Sequence, residues 1–301
     1  MDKAILADSV SGKDNRKKEE ILSPSKLAWQ TFKKQKLGII GSLMVLFLIF
    51  IALFGDFISP YDPLQMHTKN SLQGPSAKYW LGTDRFGRDQ LSRLINGTRI
   101  SIIVSFGSMF LAAAAGVIIG LVSGYYGGRI DSIIMRLLDV VFAFPMLLLA
   151  LIMVAILGPN LRNVLFAIAF TQHARFARIV RGSVLSVKEK EYVEGIRSVG
   201  AKNRIIITRF ILPNVFSPII VQATWGLSIA IMYEAALSFL GMGTQPPMPS
   251  WGLMLNESRR FMEIAPWLTI FPGLSIVFAV LGFNLMGDAL RDALDPRLAQ
   301  R

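Results

Sequence analysis

The chain has 301 residues, of which 52% are hydrophobic and 17% charged, carries a formal net charge of +12, and contains no cysteine. This composition is too apolar for an ordinary water-soluble enzyme, and it excludes disulfides, thiolate metal sites and cysteine nucleophiles. The two histidines, His67 and His173, have no ligand spacing around them, so we expect no metal site. The excess of Lys and Arg is typical of the cytoplasmic loops of a membrane protein. We prefer this interpretation to nucleic-acid binding, which an excess of basic residues can also indicate.

Six apolar stretches predict membrane-spanning helices, and a polar, basic tail over residues 1–36 precedes them. Each stretch is long enough to cross about 30 Å of hydrocarbon at about 1.5 Å per residue. The stretches run over residues 37–58, 100–125, 137–157, 161–180, 213–240 and 265–286. The sequence therefore predicts an all-α polytopic membrane protein with one membrane domain over residues 37–301.

The fourth stretch is the least apolar, because Arg175, Arg178 and Arg181 follow each other near its end. Arginine side chains at a helix end can reach the lipid headgroups, so a shortened apolar span is tolerated. With six spans and both termini inside, 23 of the 32 Lys and Arg lie in inner segments. Omitting the fourth span would put the basic stretch after it outside, against the positive-inside rule. We therefore predict six spans with cytoplasmic N- and C-termini.

Two local patterns predict helix packing. Gly116, Gly120 and Gly124 follow one another at four-residue spacing in the second span, which allows two helix backbones to approach closely in lipid. Arg136 and Asp139 at the inner end of the third span are spaced for an ion pair within one helix.

The segment between the fourth and fifth spans, residues 186–212, has the pattern of an amphipathic helix, a break and a second short helix. One predicted face carries Tyr192, Val193, Ile196 and Val199, while Lys190, Glu194, Arg197 and Ser198 point largely elsewhere. Gly200 supplies the corner, and Pro213 can begin the next helix because a first helical turn needs no backbone donor. An apolar face without a core of its own needs a partner, and the pattern leaves a protein and the membrane surface equally open.

Polar residues inside apolar stretches are candidates for a transport pathway. Glu234 is an ionisable group in hydrocarbon, which costs about 2.5 kcal/mol or more unless it faces water or a partner. It either lines a pathway or lies near the outer interface and stabilises the following loop. Gln172, His173 and Arg175 in the fourth span form the second pathway hypothesis, since such residues avoid lipid.

The outer loop after the first span carries a charged, glycine-containing segment that includes Gly82, Asp84, Gly87, Arg88 and Asp89. Its glycine spacing matches a phosphate-binding loop, but Arg88 and Asp89 stand where Lys and Ser or Thr are needed. We therefore exclude nucleotide binding by this chain. The charges of this segment, with Arg85 and Arg93, either order the loop through internal ion pairs or meet a delivery protein outside.

The segment over residues 194–213 resembles the characteristic cytoplasmic loop of ATP-binding-cassette importer permeases. Glu194, Gly200, Leu212 and Pro213 match that pattern in spacing, whereas Gly195, Ile196 and Phe210 replace two alanines and an isoleucine. In that family the loop forms a coupling helix that docks into a cleft of the ATPase subunit. The resemblance implies that the ATPase-coupling residues are Tyr192, Glu194, Gly195, Arg197, Gly200, Leu212 and Pro213.

Residues 79–101 and 234–255 resemble the outer signature and the fifth-span region of the C-type subunit of dipeptide, oligopeptide and nickel permeases. The resemblance implies a type I importer permease fold in a bacterial plasma membrane. It also implies a sister permease, two ATPase subunits that use ATP and Mg, and an extracytoplasmic substrate-binding protein. This chain would then be no enzyme and bind no cofactor.

Peptides are the expected substrate, with nickel or metal chelates as the alternative. A rival function is an ion-driven secondary transporter, which would show paired half-repeats and ionisable residues near the midplane. The sequence has no visible half-repeat, and Glu234 is its single deep candidate.

Overall fold

The computed structural model describes residues 24–294, so most of the predicted N-terminal tail and the last seven residues lie outside the described part. Within it, the regular elements are helices, apart from one isolated β-bridge between Thr83 and Asp89. The α-helices are α1 (Pro24–Lys34), α2 (Lys36–Ile58), α3 (Gln90–Tyr126), α4 (Gly128–Phe142), α5 (Met146–Leu157), α6 (Leu161–Lys188), α7 (Glu191–Ser198), α8 (Asn203–Ile205), α9 (Phe216–Phe239), α10 (Trp251–Ser258) and α11 (Trp267–Leu294). The prediction of an all-α membrane protein is confirmed for these residues.

Four helical segments are long and apolar enough to cross a membrane: Lys36–Ile58, Gln90–Tyr126, Asn203–Phe239 and Trp267–Leu294. The pair α4 and α5 passes the same test if it counts as one bent span. Helix α6 is one continuous helix of 28 residues but is not among these apolar segments. The described residues therefore contain four to five clear spans, and the predicted number of six is not confirmed.

The predicted span over residues 137–157 is not one straight helix. The chain breaks between Phe142 and Met146, and α4 and α5 meet at an angle of 85°. Pro145 causes the break, because it has no backbone N–H and disfavours helical geometry at the residue before it. The apolar run of the sequence conceals this bend.

Helix α3 begins ten residues before the predicted start of the second span. The Asp89 side chain accepts a hydrogen bond from the backbone N–H of Ser92 at 2.8 Å, which caps the helix. The first turns of α3 are polar and buried, so hydropathy does not reveal them.

The core lies where α6 packs along α3, and glycines at the seam allow the close approach predicted from sequence. A Cβ placed on Gly116 would meet the carbonyl oxygen of His173 at 2.5 Å, and one on Gly120 would meet that of Ala177 at 2.6 Å. A Cβ on Gly124 would meet the Cβ of Val184 at 2.8 Å. The packing prediction for these three glycines is confirmed.

The ion pair predicted within α4 is wrong. Asp139 accepts instead from Nη2 of Arg178 on α6 at 2.7 Å, and Asp131 accepts from Nη2 of Arg181 at 2.5 Å. The bend at Pro145 lets α4 fold back against α6, so the partner comes from another helix.

Candidate functional site

The segment after α6 has the helix, break and helix that its sequence predicts. Helix α7 ends at Ser198, and Gly200 turns the chain with φ of +81°, which favours glycine. Helix α8 continues into a π-helical stretch, Ile206–Ile211, and a 3₁₀ turn, Leu212–Val215, that carries Pro213 near its start. Pro213 therefore lies in the turn that leads into α9, close to the position predicted for it.

The apolar residues of α7 divide into a buried edge and an exposed edge. Val193 is fully buried, and Ile196 is half-buried against the core of α6 and the π-helical stretch. Tyr192 and Val199 remain 40% and 82% exposed, so the predicted single buried face is partly wrong. Because these two are seven residues apart, they lie on the same side of the helix. Two residues thus anchor α7, and two present apolar surface outward.

The polar residues of α7 face outward beside the end of α3. Glu194, Gly195 and Arg197 are exposed, and the guanidinium of Arg197 lies 5.8 Å from the centre of the Tyr125 ring. The Tyr125 hydroxyl donates to Oδ1 of Asn203 at 2.7 Å, which links the end of α3 to the segment after α7. The predicted coupling residues are therefore exposed, apart from Leu212, which is half-buried.

On the outer loop, the signature residues form a tightly ordered turn. Gly82 and Gly87 have φ of +79° and +72°, which only glycine adopts without strain. Asp84, Arg88 and Asp89 are all buried. The carboxylate of Asp84 accepts from the backbone N–H groups of Phe86 and Arg88 at 2.8 and 3.0 Å, so it fixes the turn from inside.

The buried charges of this loop form one network. Arg88 donates to Asp84 at 2.5 Å and to Glu257 at 3.1 Å, and Arg93 donates to the same oxygen of Glu257 at 2.9 Å. Arg93 also lies 3.6 Å from Asp84. Two cations and two carboxylates balance, which is the condition for burying charge at tolerable cost. Of the two roles considered for these charges, the geometry favours internal ordering for Asp84, Arg88 and Arg93.

Sequence reasoning missed Glu257, the member of this network contributed by α10. No local signal identifies it, since its partners lie more than 160 residues earlier in the chain.

The side chain of Glu234 is fully buried and is surrounded by hydroxyl groups. Ser101 of α3 and Ser238 of α9 donate to its carboxylate oxygens at 3.1 and 2.8 Å. The hydroxyl of Ser238 in turn accepts from the backbone N–H of Thr244 in the loop after α9. This arrangement matches the second of the two roles considered for Glu234, stabilisation of the following loop.

The other three pathway candidates lie on α6 without a bond to Glu234. Gln172 is fully buried, and neither atom of its amide finds a hydrogen-bond partner within residues 24–294. Nδ1 of His173 contacts the carbonyl oxygen of Phe170, and Arg175 is half-buried. In the described part of the chain, no group of three His, Cys, Asp or Glu residues could hold a metal ion.

Comparisons with known proteins give a consistent result. Residues 116–300 match the family model of the binding-protein-dependent transport system inner membrane component, and residues 23–75 match that of the N-terminal TM domain of oligopeptide transport permease C. The chain is 48% identical over 277 residues to the dipeptide transport system permease protein DppC of Alkalihalophilus pseudofirmus, covering 92% of this chain and 91% of that relative. It is 45% identical over 297 residues to the glutathione transport system permease protein GsiD of Pectobacterium atrosepticum, covering 98% and 97%.

Among solved structures, the chain resembles one from the inward-facing MetNI methionine ABC transporter. The TM-score is 0.57 at 17% identity, and the match covers 67% of this chain and 96% of the other. At this identity the likeness is one of fold.

Proposed function

Because the chain belongs to the family of binding-protein-dependent transport system inner membrane components, the permease subunits of ATP-binding-cassette importers, we propose that it is one of two membrane subunits of a peptide importer. Two relatives, named for dipeptide and glutathione transport, support a peptide substrate. Family membership favours this function over an ion-driven secondary transporter. The single observation that carries the proposal is the exposed helix α7, anchored by Val193 in the core and followed by the turn at Gly200.

The chain crosses the plasma membrane six times, with both termini in the cytoplasm. Four long helices, the bent pair α4–α5, and α6 make up the six spans. At about 1.5 Å per residue, α6 reaches about 42 Å, which exceeds the hydrocarbon thickness. Arg178 and Arg181 pair with Asp139 and Asp131 of α4, which lowers the cost of arginines close to the membrane.

Helix α7 transmits movement from the ATPase to the membrane helices. Its buried edge packs against α6 on one side and against the π-helical stretch that leads into α9 on the other. A displacement of α7 therefore acts on both helices together. Alternating access by rigid-body movement of one permease against the other is the expected result.

The partners follow from this function. A sister permease completes the pathway, two ATPase subunits bind ATP and Mg and hydrolyse the nucleotide, and an extracytoplasmic binding protein delivers the peptide. This chain lines one side of the pathway, moves during transport, and contributes no catalytic group.

Co-purification tests the proposal. The chain is expressed with the genes for a sister permease and the ATPase subunits, extracted in detergent, and purified through a tag on this chain. We expect the ATPase subunits to co-purify with the wild type and to be lost from Glu194→Arg. Glu263→Arg, an exposed carboxylate of the segment after α10, is the matched control and retains them. A chain that purifies alone and supports ion-driven uptake in vesicles would overturn the proposal.

A further inference from the structure

An open cavity of about 520 Å³ lies where the outer loop over residues 82–89, which we call the signature loop, meets the end of α10. Its lining residues are Arg85, Asn256, Glu257, Arg259 and Arg260. We call it the arginine cavity. In the six-span topology both contributing segments are on the outer side of the membrane.

The arginine cavity carries uncompensated positive charge. The carboxylate of Glu257 already forms ion pairs with Arg88 and Arg93, the buried arginines of the network described above. Arg85, Arg259 and Arg260 form no ion pair with any residue among 24–294, and neither does nearby Glu263. Three cations therefore face the cavity without a carboxylate partner among these residues.

Two of these cations are held in position by aromatic rings. The guanidinium carbon of Arg85 lies 4.4 Å from the centre of the Phe86 ring, and that of Arg259 lies 5.3 Å from the Phe239 ring. A guanidinium stacked on a ring keeps its N–H edge available for a carboxylate. The side chains thus lose little freedom when an anion binds.

The walls of the arginine cavity are fixed relative to each other. Glu257 links α10 to the signature loop through Arg88, and the amide of Asn256 donates to the carbonyl oxygen of Phe239 at 2.6 Å. Nη1 of Arg93, in the same ion-pair network, is buried and has no hydrogen-bond partner in the described part of the chain. The ion pair and the hydrogen bond therefore fix the two segments that carry the three cations.

We propose that the arginine cavity is the docking surface for an acidic patch of the extracytoplasmic binding protein. The charge decides between possible occupants. A peptide whose single carboxylate is its C-terminus would leave two of the three cations uncompensated, and glutathione with two carboxylates would leave one, whereas a protein surface with several carboxylates matches all three. Arginine is also enriched in protein interfaces. This inference rests on the proposed function, which supplies the binding protein.

The test uses the complete transporter in lipid nanodiscs and measures ATPase activity as substrate-loaded binding protein is added. In the double variant Arg259→Glu/Arg260→Glu we expect the concentration for half-maximal stimulation to rise about tenfold or more. The difference should shrink at high salt, because exposed charges are screened. Basal ATPase activity should stay at the wild-type level.

Arg162→Glu is the matched control, because Arg162 is exposed and lies on the same side in the six-span topology but outside the cavity. A hexaglutamate peptide should compete with the binding protein in the wild type and have no effect on the double variant. Equal half-maximal concentrations in the double variant and in Arg162→Glu would overturn the docking proposal. So would an unchanged half-maximal concentration with altered preference between free and amidated peptides, which would assign the cavity to the substrate. A wild-type complex that the binding protein does not stimulate would overturn the proposed function itself.

Discussion

Arg93 and Glu257 are 164 residues apart in the sequence, yet Nη2 of Arg93 donates to Oε2 of Glu257 at 2.9 Å. Arg88 donates to the same oxygen at 3.1 Å, and the Arg93 side chain is only 1% exposed. One carboxylate of α10 thus bridges two buried arginines, Arg88 in the loop before α3 and Arg93 in its first turn. The contact fixes the outer loop to the last third of the chain.

Removing the Glu257 carboxylate should lower the stability of the chain. We expect Glu257→Ala to lower the free energy of unfolding by about 3–5 kcal/mol, because two buried guanidinium groups would keep only Asp84 as a counter-charge. The measurement is a denaturant unfolding titration of the purified chain in detergent. Glu263→Ala, which removes an exposed carboxylate, is the control and should match the wild type. Equal losses in the two variants would show that the network adds nothing to stability.

The contrast between the signature loop and α10 explains what sequence reasoning can reach. Asp84, Arg88 and Arg93 lie within ten residues, so a local ion-pair cluster is visible in the sequence. Glu257 becomes their partner only through tertiary packing, which no local pattern encodes. The glycines of α3 were predictable because helical spacing alone puts them on one face.

The bend at Pro145 shows a different failure. The residue was visible in the sequence, but the surrounding apolar run predicted one continuous span. Length and hydropathy determine whether a segment prefers lipid, and they are insensitive to where its backbone hydrogen bonds stop. The partly exposed apolar face of α7 is a failure of the same kind. Helical periodicity predicts which side of the helix is apolar, but it does not predict the angle at which the helix packs.

The seam between α3 and α6 should tolerate no added methyl group at Gly116. We expect Gly116→Ala to destabilise the chain by about 1–3 kcal/mol, because the Cβ would press on the backbone of His173 and force the helices apart. Gly182→Ala is the control, since a Cβ there meets nothing within 4 Å. Alanine favours a helix over glycine by about 0.5–1 kcal/mol, so this control should be neutral or stabilising. Unfolding titrations of both variants test the prediction, and equal stability would contradict it.

The two edges of α7 should respond differently to substitution. Val199→Asp should leave the stability of the chain unchanged, because the side chain is exposed, but reduce ATPase co-purification about tenfold by placing a charge in an apolar contact. Val193→Ala should instead lower stability by on the order of 2 kcal/mol, because it empties a fully buried position. Unfolding titrations and quantified co-purification separate the two effects. If Val199→Asp retained the ATPase fully, the exposed edge would not be the contact surface.

Glu234 should act through its hydrogen bonds rather than through its charge. We expect Glu234→Gln to keep transport close to wild type, because a glutamine amide can still bond to the hydroxyls of Ser101 and Ser238. Glu234→Leu should lose both bonds, loosen the loop after α9 at its contact through Thr244, and reduce transport together with stability. Peptide uptake per folded complex is the measurement. Full loss of transport in a stable Glu234→Gln variant would instead assign the carboxylate to the pathway.

Gln172 offers the sharpest test of the pathway hypothesis for α6. In this structure its buried amide has no hydrogen-bond partner among the described residues, a state that costs about 1–3 kcal/mol. Gln172→Met keeps the approximate size and removes the polar atoms, so we expect the unfolding free energy to rise. If the amide bonds to substrate or to another helix in a second transport state, peptide uptake should fall in the same variant. Thr171→Val, at the adjacent buried hydroxyl that bonds within its own helix, is the control for local packing and should retain uptake. A Gln172→Met variant with higher stability and wild-type uptake would remove this residue from the pathway.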